Sequence, residues 1–251
     1  MQLETLCKYC DDFLSIDEFN DYCPNGLQVE SNKEVDFIVS GVTASLALID
    51  AAIDAGADTI LVHHGYFWKG ESQPIAGFKG ARIRKLIRND INLLAYHLPL
   101  DAHPEIGNNA QLARVMKWTI DGSFGSGGAR DIVLHGKPGQ PLSIEQLGEE
   151  IAMKLGRKPL IIPAGEHQVR SIAWCTGAAQ SYIEEAASRG IDTFISGEVS
   201  EHTFHFAREM GVHYIAAGHH ATERFGVQAL GRLLQERFKL RHEFIDIENP
   251  V

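Results

Sequence analysis

The feature that most restricts the fold is an internal duplication. Residues 38–59 and 172–193 align without a gap at an offset of 134. Ile38, Ala44, Ile49, Ala52, Gly56, Asp58 and Thr59 recur as Ile172, Ala178, Ile183, Ala186, Gly190, Asp192 and Thr193. Each segment reads as an apolar strand, a Gly-containing turn, an amphipathic helix, a Gly stop and a second strand. Gly56 and Gly190 stand where a left-handed residue closes a helix. After the first segment come a helix near 80–89 and a strand over 91–96. After the second come a helix near 201–210 and a strand over 212–217. Such β-α-β-α-β alternation builds a largely parallel sheet covered by helices. The pattern predicts an α/β protein of two duplicated halves, 1–120 and 121–251, with one metal site shared between them.

The remaining segments fit around these units. Leu3, Leu6, Cys10, Phe13 and Leu14 mark an amphipathic N-terminal helix. It contains the lone Cys-x-x-Cys of the chain, Cys7 and Cys10, which reads as helix packing. Residues 121–129 are rich in Gly and Ser and predict a flexible loop. A strand over 131–135, a helix from Ser143 to Leu155 with Ser143 as N-cap, and a strand over 160–162 follow. The chain ends with a helix at about 223–238 and a strand over 242–247.

Composition narrows the function. The 251 residues are 44% hydrophobic and 22% charged, ordinary for a globular protein. The longest apolar runs fall short of the roughly 18 residues of a membrane span. The N-terminus has no basic, apolar leader, so the expected location is the cytoplasm. A net charge of −10 argues against nucleic-acid binding, which needs Lys and Arg on phosphates. The basic set Lys79, Arg82, Arg84, Lys85 and Arg88 reads as the solvated face of a helix. The 4 cysteines suggest no disulfide framework.

Candidate chemistry collects at strand ends. His63 and His64 close the apolar run Thr59-Ile60-Leu61-Val62 and precede Gly65. His97 follows a buried strand, and Asp101 lies four residues on. His219 follows another, and Glu223 again lies four residues on. Open α/β sheets form their sites outside the carboxyl ends of strands. Imidazole and carboxylate are ligands for zinc, iron, manganese and nickel. One zinc takes three or four ligands, whereas about six candidates are present here. That number favours two divalent ions, with Glu223 as the bridging carboxylate. Glu198 occupies the position of His64 under the offset. It reads equally as an acid, base or ligand orienter lining the pocket, and as the cap region of the 201–210 helix. His220 is left outside the ligand set, His103 reads as a surface residue, and His205 lies two turns along the 201–210 helix. Signatures of a serine nucleophile, a phosphate loop and a dinucleotide fold are absent. Water activated at a divalent metal is then the simplest nucleophile.

The motifs Asn25-Gly26-Leu27-Gln28-Val29, His63-His64-Gly65, His97-Leu98-Pro99-Leu100-Asp101, Gly107-Asn108-Asn109, Ser196-Gly197-Glu198 and Gly218-His219-His220-Ala221-Thr222-Glu223 carry a resemblance. Together they resemble the GTP cyclohydrolase 1 type 2 homolog family, the NGG-interacting-factor-like proteins. The resemblance runs nearly end to end. It implies intertwined α/β halves with mixed, mostly parallel sheets and flanking helices. It also implies a ring-shaped homohexamer and a dinuclear metal site on His63, His64, Asp101, His219 and Glu223. His97 is then a candidate ligand or proton shuttle. The family name implies hydrolytic opening of the GTP imidazole ring. None of Cys7, Cys10, Cys23 or Cys175 falls in a ligand motif, so the Cys/His zinc mechanism of other GTP cyclohydrolases does not transfer.

Two functions follow as expectations. One is a dinuclear metal-dependent hydrolase acting on a nucleotide or related heterocycle, with His97 or Glu198 managing protons. The other is a ring-shaped metal-binding scaffold or regulator with protein partners.

Overall fold

A computed structural model describes residues 1–125 and 131–251. The chain divides into two units, Met1–Ile106 with Gly226–Glu248, and Gly107–Phe225 with Asn249–Val251. The boundary therefore falls between Ile106 and Gly107, not at residue 120. The last helix and strand return to the first unit because the final strand finds its ladder partner there.

The first unit contains α1 (Leu3–Leu14), β1 (Gly26–Val29), β2 (Phe37–Thr43), α2 (Leu46–Ala55), β3 (Thr59–His64), α3 (Gly77–Arg88), β4 (Asn92–Ala95) and α4 (Leu98–Ala102). The second contains α5 (Asn108–Met116), β5 (Gly122–Phe124), β6 (Val133–Gly136), α6 (Ile144–Leu155), β7 (Leu160–Ile162), β8 (Ile172–Cys175), α7 (Ile183–Ser188), β9 (Thr193–Ser196), α8 (Glu201–Met210), β10 (His213–Ala216) and α9 (His219–Thr222). Then come α10 (Arg224–Phe238) and β11 (Arg241–Phe244).

Sheet one has the order β1-β4-β3-β2-β11, and sheet two β5-β6-β8-β9-β10-β7. In the first, β4, β3, β2 and β11 run parallel and β1 antiparallel. In the second, the parallel trio β8, β9 and β10 is flanked by antiparallel β6 and β7. The expected mixed α/β architecture with flanking helices is what forms. Alternation splits adjacent residues of sheet one between two cores. Val39, Ile60 and Leu93 pack with Leu48 and Ile49 of α2 and Leu86 of α3. Ile38, Leu61 and Leu94 pack with Leu6 of α1 and Leu230 and Leu234 of α10. Truncating a fully buried leucine such as Leu61 would cost about 2–5 kcal/mol. In sheet two, Trp174, Ile195 and Ile215 pack with Leu147 and Ile151 of α6 and Leu112 of α5.

The repeated Asp-Thr pair has a physical role in both units. Asp58 Oδ2 accepts hydrogen bonds from the backbone N–H groups of Asp36 and Phe37, at 2.9 and 2.8 Å. Asp192 Oδ2 accepts from Arg170 and Ser171, at 3.0 and 2.9 Å. Thr59 and Thr193 donate their hydroxyls to the other oxygen of each carboxylate. The pair thus clasps the entry of one parallel strand to the start of the next. Ser143 caps α6 with a full capping box, as its sequence predicts.

Two local expectations change. The segment read as a loop over 121–129 contains β5, because Phe124 is buried and β5 pairs with β6. Residues 126–129 of that expectation lie outside the described residues. Lys79 of the basic α3 is buried and pairs with Glu71, so it is not part of a solvated face. Cys7 and Cys10 lie on α1 as free thiols, Cys10 in the core, as helix packing requires.

Candidate metal centre

In each unit the parallel strands point their carboxyl ends to one edge, and the candidate donor residues leave from there. In the first unit, β3 ends in His63 and His64. The His63 and His64 ring centroids are 4.6 Å apart, and that of His97 is 5.0 and 5.8 Å from them. Each of the three rings offers a nitrogen, and these lie within 4.8 Å of one another. Adjacent strand residues normally diverge; here the strand ends at His64 and both rings meet.

Asp101 joins them through α4. This short helix starts after His97 with Pro99 in its first turn, so the His-x3-Asp spacing places both side chains on one face. Asp101 Oδ1 is 3.4 Å from His63 Nε2, and both side chains are buried.

In the second unit, His219 follows β10 and opens α9, and Glu223 stands at its C-terminal end. Glu223 is therefore at the junction between α9 and α10, one residue before the long helix where the sequence placed it. Its Oε2 is 3.1 Å from His219 Nε2. Glu198 Oε1 is 2.7 Å from His219 Nδ1. Burial alone would lower the His219 pKa. The hydrogen bonds and charges of Glu223 and Glu198 outweigh it and raise the pKa to about 9. An ion bound at Nε2 would take the place of a proton there.

The donor set fits a divalent ion in one further respect. Metal-binding histidines usually give one ring nitrogen to a fixing partner and the other to the ion. His63 Nδ1 is 2.9 Å from the Tyr96 carbonyl. His64 Nδ1 is 3.2 Å from Thr43 Oγ1. His97 Nδ1 is 2.7 Å from Asp21 Oδ1. His219 Nδ1 is held by Glu198. In all four the fixing partner sits on Nδ1 and Nε2 is the nitrogen for a ligand bond. Gly177 completes the cradle in the second unit: a Cβ there would stand 2.1 Å from Glu223 Oε1 and 3.2 Å from His219 Nε2.

Asp21 was missed in the sequence. It holds His97 Nδ1 on one oxygen and accepts from the Leu98 N–H and the Asn25 amide on the other. Burial pushes its carboxyl up, but the hydrogen bonds from His97, Asn25 and Tyr22 prevail and hold it below the usual carboxylate range. The one available signal was its place four residues before Asn25-Gly26. That motif is scaffolding: Asn25 Oδ1 also accepts from the His97 N–H at 2.7 Å, and Gln28 Oε1 accepts from the Tyr66 N–H beyond His64. Cys23 also lies beside Asp21 and His97. Burial and then Asp21 raise its thiol to about 12, so it stays protonated near neutral pH.

The other candidates separate clearly. Glu198 does not cap α8; Ser200 does, accepting from the Thr203 N–H. His205 is exposed on α8, not directed into a site. His103 ends α4, stacks on Phe13 at 4.6 Å and accepts from the Glu105 and Ile106 N–H groups. His220 is buried, outside the donor set. Asn109 pins α5 to β8, accepting from the Thr176 N–H on its side chain and from the Trp174 indole on its carbonyl. Among the described residues no helix is long and apolar enough to cross a membrane.

Comparison with known proteins gives the family and the fold. The chain is 54% identical over 249 residues to a GTP cyclohydrolase 1 type 2 homolog of Pseudomonas aeruginosa, covering 99% of this chain and 98% of the relative. It is 53% identical over 253 residues to the homolog of Vibrio cholerae, covering 100% and 99%. Among solved structures, protein YbgI, of unknown function, superposes with a TM-score of 0.96 at 50% identity, covering 100% of both chains. A protein of Thermus thermophilus gives a TM-score of 0.89 at 34% identity, again covering 100% of both. The family model for Duf34/NIF3 (NGG1p interacting factor 3) matches residues 1–250, and the chain belongs to that family.

Proposed function

We propose that the two donor sets hold two divalent metal ions per chain, and that the protein is a metal-dependent hydrolase acting on a nucleotide or related heterocycle. The observation that carries this reading is the repeated clamp on Nδ1 at four imidazoles, next to two buried carboxylates. His63, His64, Asp101, His219 and Glu223 would hold the ions. Bound there, they supply Lewis acidity and lower the pKa of water toward neutrality. His97, fixed by Asp21, presents Nε2 either as a further ligand or as the atom that moves a proton. Glu198 orients His219, since its Oε1 is engaged on Nδ1. The name of the relatives, GTP cyclohydrolase 1 type 2 homolog, makes guanine nucleotides the first substrates to screen. The mixed imidazole and carboxylate set suits iron, zinc, manganese or nickel.

Elemental analysis of the purified protein, followed by nucleotide turnover with the metals found, tests this reading. His64→Ala and Glu223→Ala should each lose metal and turnover together. Turnover that survives loss of the metals would refute it. We further propose a cytoplasmic homohexamer, tested by native mass spectrometry and fractionation. A second reading, a ring-shaped metal-binding scaffold, draws support from the family description, which names an interacting factor. Full metal content with no turnover of any nucleotide would favour it.

A further inference from the structure

The second unit holds a cation next to its donor set that the reading above does not use. Arg157 follows Gly156, the cap of α6, and precedes β7. β7 runs antiparallel to β10 with Leu160 opposite Ala216. Arg157 comes shortly before β7 and His219 shortly after β10, so both leave the same end of this strand pair. The side chain lies on Gly218: a Cβ there would stand 2.2 Å from Arg157 Nη1 and 2.8 Å from Cζ. Gly218 also has φ +105°, so the position next to His219 is kept bare on two counts.

The guanidinium is incompletely satisfied. Its Nη1 is buried and has no hydrogen-bond partner among the described residues. Buried donors are nearly always paired, and an orphan calls for an explanation. A charged N–H group left without an acceptor suits an oxyanion that arrives with a ligand.

We propose that Arg157 is an anion anchor beside the His219 donor, its Nη1 taking an oxygen of a phosphate or carboxylate group on the substrate. The proposal rests on the reading of His219 and Glu223 as metal donors. It assigns Arg157 to binding and orientation of the ligand, with no ligand bond to the ions.

Calorimetric titration of the purified protein with inorganic phosphate, and separately with acetate, tests the anchor. Phosphate alone bound tightly assigns a phosphate subsite, and acetate bound as well assigns a general oxyanion subsite. Arg157→Gln should weaken the bound anion about tenfold to a hundredfold, while metal content and melting temperature stay at wild-type values. Equal affinity in Arg157→Gln and wild type, or no binding of either anion to wild type, overturns the proposal. If Arg157→Gln does not fold, wild-type crystals grown with phosphate decide: an oxygen on Arg157 Nη1 supports the anchor, and density elsewhere or none overturns it. Phosphate bound through Arg157 by a protein that turns over no nucleotide leaves the anchor standing and removes only the hydrolase reading.

Discussion

Gly177→Ala separates the demands of the fold from those of the metal centre. Gly177 has φ +68°, and a left-handed alanine costs roughly 1–2 kcal/mol. Its backbone has little room to relax. The carbonyl accepts from Ser196 Oγ and the Gly197 N–H, both at 2.9 Å, and its N–H donates to Thr222 Oγ1 at 3.2 Å. The new Cβ would stand 2.1 Å from Glu223 Oε1, whereas a carbon and an oxygen come no closer than about 3.3 Å in ordinary contact. The carboxylate must therefore retreat by about 1 Å, comparable to half of a metal–oxygen bond of roughly 2.0–2.2 Å. Metal affinity should fall about a hundredfold or more, since the same methyl group also crowds His219 Nε2.

Gly56→Ala is the matched control. Gly56 has φ +79° but nothing within 4 Å of a new Cβ. Both variants should melt a few degrees lower, at about 2–4 °C per kcal/mol for a chain of this size. Calorimetry reads the melting, and elemental analysis after dialysis reads the metal. Only Gly177→Ala should lose metal. Wild-type metal content in Gly177→Ala would refute the assignment of Glu223 as a ligand, and equal metal loss in Gly56→Ala would show that the effect is one of stability.

Asp21→Asn keeps the volume but loses the charge on His97; it should weaken metal binding or turnover about tenfold to a hundredfold with little change in melting temperature, read by competition with a chelating dye. Asp58→Ala abandons two backbone N–H groups and one hydroxyl, Asp192→Ala two N–H groups and two hydroxyls, and each should cost about 1–3 kcal/mol in urea melts. Acid should destabilise the fold through His242, whose pKa burial and then Arg232 depress to about 4. Its contribution is complete above the unfolded value near 6.5 and is lost as pH falls through the folded value. Discounted for partial exposure this amounts to about 1–2 kcal/mol between pH 7 and 4, and His242→Gln should flatten that part of a urea-melt pH series.

The legible part of the fold was what depends on local pattern. Ile38–Thr59 and Ile172–Thr193 announced their strands, helices and Gly stops because periodicity and caps are short-range. The two units depart from a division at residue 120 for reasons no local signal encodes: α5 packs with α6 in the second core, and β11 pairs with β2 across almost the whole chain. Phe124 behaves likewise: a Gly- and Ser-rich stretch becomes β5 because β6 supplies the ladder. At the candidate centre, residues picked out by strand-end position and His-x3-acid spacing do gather, His63, His64 and His97 in one unit and His219 with Glu223 in the other. The groups that hold those donors were harder to find. Asp21 is 76 residues from His97, and Gly177 offers nothing to a search for ligands.

The duplication explains where that support comes from. Under the offset of 134, Thr43 corresponds to Gly177 and His63-His64 to Gly197-Glu198. Each copy places one carboxylate-held imidazole after its third parallel strand, His97 on Asp21 and His219 on Glu198. In the second copy the end of β9 supplies the holding carboxylate. In the first, the end of β3 is occupied by imidazoles, so the carboxylate must come from outside the repeat, and the segment between α1 and β1 provides it. The same substitution alters the neighbouring strand end. Thr43 carries a hydroxyl because His64 needs a partner on Nδ1, whereas Gly177 carries nothing because Glu223 needs the space. Divergence at three strand-end positions is thus enough to turn two copies of one β-α-β-α-β unit into different donor sets. The first gathers three imidazoles with Asp101, and the second one imidazole, His219, beside Glu223, with Glu198 holding its ring.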